Sequence, residues 1–435
     1  MKRLFSDRWH STRLASLFDE NTQLNEEFSE SHALQFKYGS IVPKKQYELT
    51  NDLITTYKKY TIVRPGDIMV NGLNLNYDFV TQRVALVPCN GIITSAYISL
   101  RPHQNVSVEF YTYYFKTLDS IKLFNGMGTG IRLTLSYETL KNLVLPLPPR
   151  TEQDQIVRYL DWQMSKINRL IAAKRKEIAL LKEHRTAKIN QAVTTGIHCD
   201  TQLAYTGYNW LPYAPANWKP IPAKALFRNI TELRRLDDSM LAATQKYGLI
   251  EQTEYMRLEG RRIVLANDNL DKWLHTEPND FIISLRSFQG GLEMCSKPGC
   301  VTWHYVVLRS QRNIYPDFYK WFFKSAAYIG ALQKTSDFIR DGQDLRFSNF
   351  VKVGLFIIPM DEQREIAEYL NREIPKYDVA ISNLEKQIDQ ITELRTRLIS
   401  DVVTGQIDVR GIKVPDVKYT YTETREEGLE ETEEN

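Results

Sequence analysis

The side chains in this sequence that could bind a ligand are guanidinium, amide and hydroxyl groups in predicted turns. Guanidinium and amide groups can form paired hydrogen bonds with the edge of a base, whereas hydroxyl groups and lysines mostly contact phosphates. A single residue of this kind in a loop is more often simply solvated, so these positions are candidates. In the first half of the chain they are Arg64, Asn71, Asn74, Asn76, Tyr77, Arg83 and Arg132, and in the second half Arg261, Arg262, Arg286, Ser287, Gln289, Arg340, Gln343 and Arg346.

Sequence motifs for catalysis are missing. The chain has no Gly-Lys dipeptide and therefore no phosphate-binding loop ending in Gly-Lys-Ser/Thr. It has no Asn/Asp-Pro-Pro-aromatic tetrad, no His-Glu-x-x-His and no nucleophile elbow. The best metal candidate is Cys295, Cys300 and His304, which lacks a fourth ligand, so buried thiols and a satisfied histidine are the favoured interpretation. Any chemistry is expected in partner chains.

The sequence repeats itself after about 210 residues, a period that indicates domain duplication. Residues 151–194 align with residues 361–404 without a gap and with 15 identities in 44 pairs. Apolar residues at three-and-four spacing predict a long helix with a coiled-coil seam in each copy, although the same stripe could pack against the rest of the chain. The stripe consists of Ile167, Ile171, Ile178 and Leu181 in the first copy and of Ile381, Leu384, Ile388, Ile391, Leu398 and Val402 in the second.

The ends of these helices also have sequence signals. Thr151, Glu152 and the two residues after them have the form of a capping box. Pro375 should separate a short leading helix from the long one, because proline is tolerated only in a first turn.

The regions that precede the helices, here called the first and second heads, have mixed α/β character. Short strands are predicted at 62–63, 67–70, 84–87, 92–93, 281–284 and 301–308, and amphipathic helices at 107–118 and 316–332. The fold class is therefore α+β, with two α/β domains separated by two long helices that form an antiparallel coiled coil. The predicted boundaries are 1–150 (first head), 151–196 (first helical spacer), 197–360 (second head), 361–404 (second helical spacer) and 405–435 (C-terminal segment).

Charge is distributed unevenly along the chain, whose formal net charge is +3. The segment charges are +4 for each head, +4 for residues 151–196, −4 for residues 361–404 and −6 for the acidic tail at 421–435. Two helices of opposite charge should pair, and antiparallel pairing would hold the basic heads apart. Two basic heads at this separation could contact two half-sites on one face of a DNA duplex. One turn of the duplex is ~34–36 Å long, and a helix of about 28 residues is ~42 Å long.

Four cysteines in 435 residues are too few for a disulfide scaffold and indicate a reducing compartment. The N-terminus has no apolar core of signal-peptide length, and no apolar run reaches the ~18 residues of a membrane span. We therefore expect a cytoplasmic location.

Several motifs in a fixed order resemble those of a known family, the DNA specificity (S) subunits of type I restriction–modification systems. They are Pro-Gly-Asp-Ile-Met-Val-Asn at 65–71, Thr-Ser-Ala-Tyr at 94–97, Gly-Thr-Gly-Ile-Arg at 128–132, Leu-Ser-Tyr-Glu-Thr-Leu at 135–140, Leu-Pro-Leu-Pro-Pro at 145–149 and Glu-Gln at 152–153. The second head departs from them: Asn279 replaces Gly66, Trp303 and His304 replace Ser95 and Ala96, and residues 340–346 match 128–132 only in part.

The resemblance implies two target-recognition domains that each read half of a bipartite asymmetric DNA sequence. It also implies helices that set the spacing of the half-sites and dock two methyltransferase (M) subunits, with restriction (R) subunits completing the complex. We expect no cofactor on this chain, with S-adenosylmethionine and ATP/Mg on the partner subunits. Residues near the helix starts are expected to dock the partners: Glu152, Gln153, Glu362 and Gln363.

Three other functions are compatible with the sequence. The chain could be an S-like subunit of a methylation-only or type II-like system. It could also be a coiled-coil scaffold that clamps two proteins and binds no DNA. The third, an enzyme with an unrecognised site, has the least support.

Overall fold

The computed structural model describes residues 4–37, 39–45, 48–76, 82–130, 133–244, 247–260, 269–284, 287–335 and 345–415. The chain divides into two compact units. The first unit contains residues 1–176 and 385–435, and the second contains residues 177–384. Each unit therefore combines one head with part of both long helices.

The first head contains ten strands and three α-helices within its described residues. Their bounds are β1 His10–Arg13, β2 Phe18–Glu20, β3 Leu34–Lys37, β4 Ser40–Pro43, α1 Asn51–Tyr57, β5 Thr61–Val63, β6 Ile68–Val70, β7 Val84–Leu86, β8 Gly91–Ile93, β9 Ile98–Pro102, α2 Val108–Ser120, α3 Tyr137–Leu140 and β10 Val144–Leu147. The first long helix, α4, follows at Arg150–Thr195. Single-turn 3-10 helices lie at Leu14–Ser16 and Phe124–Gly126.

The second head begins with a two-stranded ribbon and then repeats the order of the first. Its elements are β11 Leu203–Tyr205, β12 Tyr213–Pro215, β13 Lys219–Ile221, β14 Phe227–Ile230, β15 Leu241–Thr244, β16 Gly248–Glu251, α5 Gln252–Glu259, β17 Leu274–Thr276, β18 Phe281–Ile283, α6 Ser287–Gly290, β19 Glu293–Met294, β20 Gly299–Val301, β21 Val306–Ser310, α7 Pro316–Phe322, α8 Ala326–Gln333, α9 Phe347–Phe350 and β22 Leu355–Ile357. The second long helix, α10, is Met360–Val403. Single 3-10 turns lie at Ala223–Ala225 and Leu270–Lys272.

The same strand pairing occurs in both heads. The first head has a four-stranded antiparallel sheet in the order β2-β9-β6-β7, and the second has the same sheet as β14-β21-β18-β19. The pairs β1-β10, β3-β4 and β5-β8 likewise correspond to β13-β22, β15-β16 and β17-β20. This agreement confirms the duplication that was predicted from the sequence, including the part of the heads where identity is low.

Apolar side chains from the sheet, the head helices and the long helices share one core in each unit. In the first unit, Phe18 and Leu100 of the sheet pack with Tyr114 of α2, Leu160 of α4 and Val402 of α10. The second core is built in the same way from strands of the four-stranded sheet, α7, the end of α4 and the start of α10. The long helices therefore form part of each folding unit and are not free spacers at their ends.

Helices α4 and α10 run antiparallel within each unit. In the first unit, Asn168 accepts a hydrogen bond from Arg395 at 3.3 Å, and Lys174 donates to Gln387 at 2.6 Å. In the second unit, Arg185 forms an ion pair with Asp378 at 2.8 Å. Partner numbers fall along α10 as they rise along α4, which confirms the antiparallel pair.

The predicted apolar stripe forms the buried side of these helices. Ile171 and Ile178 of α4 and Ile381 and Leu384 of α10 are buried, and the remaining predicted seam positions are buried or half-buried. At the helix ends the stripe packs on the heads, as Ile167, Leu398 and Val402 do in the core of the first unit. Polar pairs such as Lys174 with Gln387 join the two helices directly.

The prediction of a break at Pro375 is wrong, because α10 is continuous from 360 to 403 with the proline inside it. An interior proline removes one backbone hydrogen bond and costs ~3 kcal/mol. Pro375 and Asn371 are exposed, so water can solvate the carbonyl that loses its partner. Buried Ile374 and Ile381 hold the helix on both sides of the proline.

Two other predicted elements are also interrupted. The predicted helix at 316–332 is divided into α7 and α8, because Ser325 caps α8 by accepting a hydrogen bond from the amide of Tyr328 at 3.3 Å. The predicted strand at 301–308 contains a turn, in which the amide of Tyr305 donates to the carbonyl of Thr302 at 3.0 Å. Thr94 and Tyr97 form the equivalent turn in the first head.

The substitution of Asn279 for Gly66 is explained by the backbone. Gly66 has φ of 95° and Asn279 has φ of 72°, so both occupy the left-handed region. Asparagine tolerates that region better than most residues with a side chain. The second head therefore preserves the turn although it lacks the glycine of the Pro-Gly-Asp motif.

The contact between α2 and α4 contains a carboxyl group with a displaced pKa. The hydroxyl of Tyr113 donates to Asp161 at 2.7 Å. Burial raises the pKa of Asp161 from 3.8 to about 6; the Tyr113 hydrogen bond opposes this shift, and Glu109 adds to it. At the matching place in the second unit, the indole of Trp321 donates to the uncharged Asn371 at 2.9 Å.

Asp161 should therefore make the first unit less stable as the pH rises. Because its pKa is higher in the folded state, its stabilising contribution is complete below the unfolded pKa of ~3.9 and is lost as the pH rises through about 6. Asp161→Asn should raise the thermal midpoint of this unit more at pH 7.5 than at pH 5, as measured by calorimetry. An equal rise at both pH values would contradict the account.

Candidate nucleic-acid interface

Five of the seven predicted ligand-binding residues of the first head, and three of the eight of the second, fall in one strand connection of each head. In the first head, residues 71–83 join β6 to β7, and in the second head residues 284–292 join β18 to β19. The strand register places Ile68 opposite Leu100 and Phe281 opposite Leu308, so these connections are equivalent. The duplicated scaffold thus carries two different loops at one position.

In the first head, the described part of this connection is residues 71–76, here called the β6–β7 loop. Asn71 accepts a hydrogen bond from the amide of Leu73 at 3.1 Å and so stabilises the turn. Asn74 is exposed and adopts φ of 54°, which places its amide side chain at the projecting part of the loop. Asn76 is half-buried, and its side-chain oxygen is buried without a hydrogen-bond partner among the described residues. An exposed amide group can pair with the edge of adenine.

Arg83 does not belong to the exposed surface, which corrects its predicted role in contacting DNA. Its side chain is fully buried. The guanidinium donates to the carbonyl oxygens of Asn71 at 3.1 Å, Leu73 at 2.7 Å and Asn74 at 3.5 Å. Arg83 therefore lies beneath the β6–β7 loop and binds its backbone from the inside.

The segment that contains the Gly-Thr-Gly motif supports the same loop from the side. The amide of Leu135 donates to Gly72 at 2.9 Å, and the amide of Leu75 donates to Leu133 at 3.2 Å. A Cβ atom on Gly72 would lie 2.8 Å from the Leu135 carbonyl oxygen, and one on Gly128 would lie 2.7 Å from a methyl group of Leu75. Both glycines are thus required by the close approach of two loops.

The second head uses a shorter connection. Ser287 is buried, and its hydroxyl accepts a hydrogen bond from the amide of Ser284 at 2.8 Å. Its predicted contact with DNA is therefore replaced by a role in the turn. Gln289 belongs to α6, and Gly291, with φ of 77°, occupies the position that Arg83 has in the first head.

The other predicted residues lie at different positions. Arg64 is exposed, and its amide donates to Asp67 at 3.0 Å. Arg346 is exposed at the start of α9, where its amide donates to Asn349 at 3.2 Å. The predicted residues that lie outside the described part of the chain are Tyr77, Arg132, Arg261, Arg262, Arg286, Arg340 and Gln343.

A carboxylate–guanidinium pair stabilises the start of the equivalent strands in both heads. Asp67, which is 2% exposed, binds Arg101 through two hydrogen bonds of 3.0 and 2.7 Å. Asp280, which is 1% exposed, binds Arg309 at 2.8 and 2.7 Å. The Pro-Gly-Asp motif indicated the turn, but the arginine partners, about thirty residues later, have no local sequence signal.

The four residues predicted to dock partners form bonds inside the chain. Glu152 and Gln153 are buried, with Glu152 paired to Arg8 at 2.9 Å and the Gln153 side chain donating to Pro148 at 2.8 Å. The amides of both residues donate to Pro149. The predicted capping box is therefore wrong, because the helix begins at Arg150.

The second helix start is bonded in a similar way. Half-buried Glu362 accepts from Asn217 and from Trp218, both at 2.8 Å. Buried Gln363 donates to Ile358 and accepts from the amide of Tyr315, each at 2.8 Å. These side chains fasten the long helices to their own heads, and their contact with a partner stays a prediction.

Cys295 and Cys300 are buried free thiols, as in the favoured interpretation of the sequence. Cys295 donates to the carbonyl of Lys297 at 2.9 Å, and burial raises the pKa of Cys300 to about 11. His304 is exposed and stacks on Trp303 with ring centroids 3.7 Å apart. In the part of the chain that the structure describes, no three His, Cys, Asp or Glu residues could hold a metal ion.

Comparison with known proteins identifies a single family. Residues 35–180 match the family described as type I restriction modification DNA specificity domain. The MjaX specificity subunit of a type I restriction enzyme from Methanocaldococcus jannaschii is 20% identical over 323 residues, which are 72% of this chain and 71% of that protein. The MjaVIII specificity subunit of the same organism is 25% identical over 152 residues, 34% of this chain and 33% of that protein.

The fold has a counterpart among solved structures. A chain from a study of complex assembly and conformational transition of the type I R-M system aligns with a TM-score of 0.65 and 13% identity, covering 93% of this chain and 99% of that one. None of the helices in the described ranges has the length and apolar character needed to cross a membrane.

Proposed function

Because this chain is a DNA specificity (S) subunit of the type I restriction–modification family, we propose that each head reads one half of a bipartite, asymmetric DNA sequence. The observation that carries this proposal is the duplicated scaffold with unequal loops. The sheet around β6 has the same strand order as the sheet around β18, but the connection with Asn71 and Asn74 differs in length and residues from the one with Ser287. Different loops on one scaffold suit different half-sites.

The charge distribution supports a nucleic acid as the ligand. Each head has a net charge of +4, whereas the long helices carry opposite charges that are partly used in pairs such as Arg185 with Asp378. The positive charge of the heads attracts phosphates, and the amide groups of the loops can discriminate between bases.

The chemistry is assigned to partner chains in this proposal. The chain would be a non-catalytic recognition subunit that brings two methyltransferase (M) subunits to the site, with restriction (R) subunits added for cleavage. S-adenosylmethionine and ATP/Mg would be bound by those partners, and this chain would bind no cofactor. Since Glu152, Gln153 and Gln363 are buried, we propose that exposed faces of α4 and α10 dock the M subunits.

Binding of DNA by the purified complex with an M subunit tests the function. We expect one bipartite duplex to bind more tightly than unrelated duplexes of equal length, with affinity that falls as salt concentration rises. Equal affinity for all sequences at moderate salt would contradict sequence recognition. Absence of DNA binding from a correctly assembled complex would favour the coiled-coil scaffold.

A further inference from the structure

The first head contains a buried cation directly beneath its recognition loop. Arg83 is 0% exposed, and its side chain reaches three carbonyl oxygens of the β6–β7 loop, those of Asn71, Leu73 and Asn74. Hydrogen bonds from a charged donor are shorter and stronger than neutral ones, and the planar guanidinium holds several donors in a fixed arrangement. One side chain therefore fixes the backbone at three positions within residues 71–76.

The backbone of Arg83 is hydrogen-bonded through both its amide and its carbonyl. Its amide donates to the carboxylate of buried Asp119 at 2.7 Å, and its carbonyl accepts from the amide of Asn71 at 2.8 Å. The next residue, Val84, starts strand β7 and is fully buried. Arg83 thus connects the loop, through its guanidinium, to the end of α2 and the start of β7, through its backbone, so loop motion relative to the sheet would break charge-assisted bonds.

The loop conformation that Arg83 stabilises includes a left-handed residue, Asn74. Asn74 has φ of 54°, and its carbonyl is turned toward the guanidinium at 3.5 Å while its side chain is exposed. Asparagine tolerates this region better than most residues with a side chain, and the bond from the guanidinium to its carbonyl fixes the conformation. The same backbone conformation therefore turns the loop carbonyls toward Arg83 and the side chain of Asn74 toward solvent.

Among its described residues, the second head has no counterpart to this arrangement. Gly291 occupies the position of Arg83, and a Cβ atom there would lie 2.2 Å from the carbonyl oxygen of Phe323. The shorter connection is stabilised instead by the bond between Ser284 and Ser287. The buried arginine therefore serves the loop of the first head and is not a general requirement of the duplicated scaffold.

We propose that Arg83 is a positioning residue for DNA recognition by the first head, acting through the β6–β7 loop without touching the DNA. This inference rests on the proposed function of the heads. Because Arg83 fixes the loop before binding, less conformational entropy is lost when the loop contacts the bases. A loop that is already fixed in shape favours the correct half-site over others. Loss of the guanidinium should lower discrimination at one half-site and leave the other unchanged.

The test compares Arg83→Met and Arg83→Lys with Arg101→Met in the full-length chain, assembled with its M subunit. Arg101 is a matched control because it is also an arginine bound within the first head, but its partner is Asp67 and not the loop. The probes are the cognate duplex and two duplexes with base changes in one half-site each. Calorimetry of each variant shows whether the first unit is folded at the binding temperature.

We expect Arg83→Met to reduce discrimination at one half-site about tenfold or more, with an unchanged salt dependence, because no phosphate contact is lost. Arg83→Lys should lie between it and the wild type, and Arg101→Met should retain discrimination at both half-sites. A salt slope reduced by about one would show direct phosphate contact and overturn the inference. Equal loss at both half-sites, or the same loss in Arg101→Met, would also overturn it. If the wild-type complex itself does not discriminate, the proposed function fails.

Discussion

Insertion of four residues into each long helix, after Lys176 in α4 and after Lys386 in α10, should lengthen the DNA spacer that the complex accepts. These sites lie beside the hydrogen bond between Lys174 and Gln387, so the helices are extended at the same level. Four residues add ~6 Å of helix, which corresponds to about one or two base pairs at ~3.4 Å each. An insertion of this length unwinds a coiled coil only locally and preserves its apolar stripe.

The measurement is methylation of a set of duplexes with identical half-sites and spacers of different length. We expect the preferred spacer to increase and both half-site sequences to stay the same. The control is the same insertion at Gly411, an exposed residue beyond the end of α10, which should leave the spacer unchanged. An active variant with extended helices and the original spacer would show that α4 and α10 do not set the distance.

Removal of the carboxylate at Asp67 should destabilise the first unit more than the equivalent change at Asp280 destabilises the second. Asp67→Ala leaves Arg101, which is one-third exposed, without its two hydrogen bonds, and the amide of Arg64 also loses its partner. Breaking a buried ion pair costs about 3–5 kcal/mol, and we expect ~2–3 kcal/mol because Arg101 is partly solvated. Arg309 retains Glu277 at 3.3 Å, so Asp280→Ala should cost less.

Calorimetry of the two variants measures this difference, since each change should lower the transition of its own unit. Asp67→Asn and Asp280→Asn serve as controls that preserve side-chain size while removing the charge. If Asp280→Ala were the more destabilising change, Glu277 would not compensate for the lost carboxylate. If neither variant differed from wild type, the paired Asp–Arg contacts would not stabilise the heads.

Features with a local or periodic sequence signal were predictable. The spacing of Ile171, Ile178 and Ile381 identified two long helices and their buried side, and the repeat after about 210 residues identified two equivalent heads. Opposite charges on the repeated segments indicated that the helices pair. Burial at three-and-four spacing depends on helix geometry alone, so no knowledge of distant contacts was needed.

Features that depend on distant contacts were not predictable. Arg83 and Asn74 were both candidates for DNA contact on sequence grounds. Only the fold shows that Arg83 is buried under the loop and that Asn74 is exposed on it. Glu152 resembled a surface residue at a helix start until Arg8 was found to pair with it. A break at Pro375 was predicted because the hydrogen bond that proline removes can be inferred from the sequence alone. The packing that keeps α10 continuous involves distant parts of the chain and cannot be inferred in that way.

The methylome of a host that expresses this chain together with its M subunit tests the central claim most directly. We expect one motif composed of two different half-sites separated by a fixed number of unspecified bases, with a methylated adenine in each half-site. Substitution in the β6–β7 loop, such as Asn74→Ala, should relax one half-site and leave the other unchanged. A single uninterrupted motif, or no methylation that depends on this chain, would contradict the account of two heads that each read half of a site.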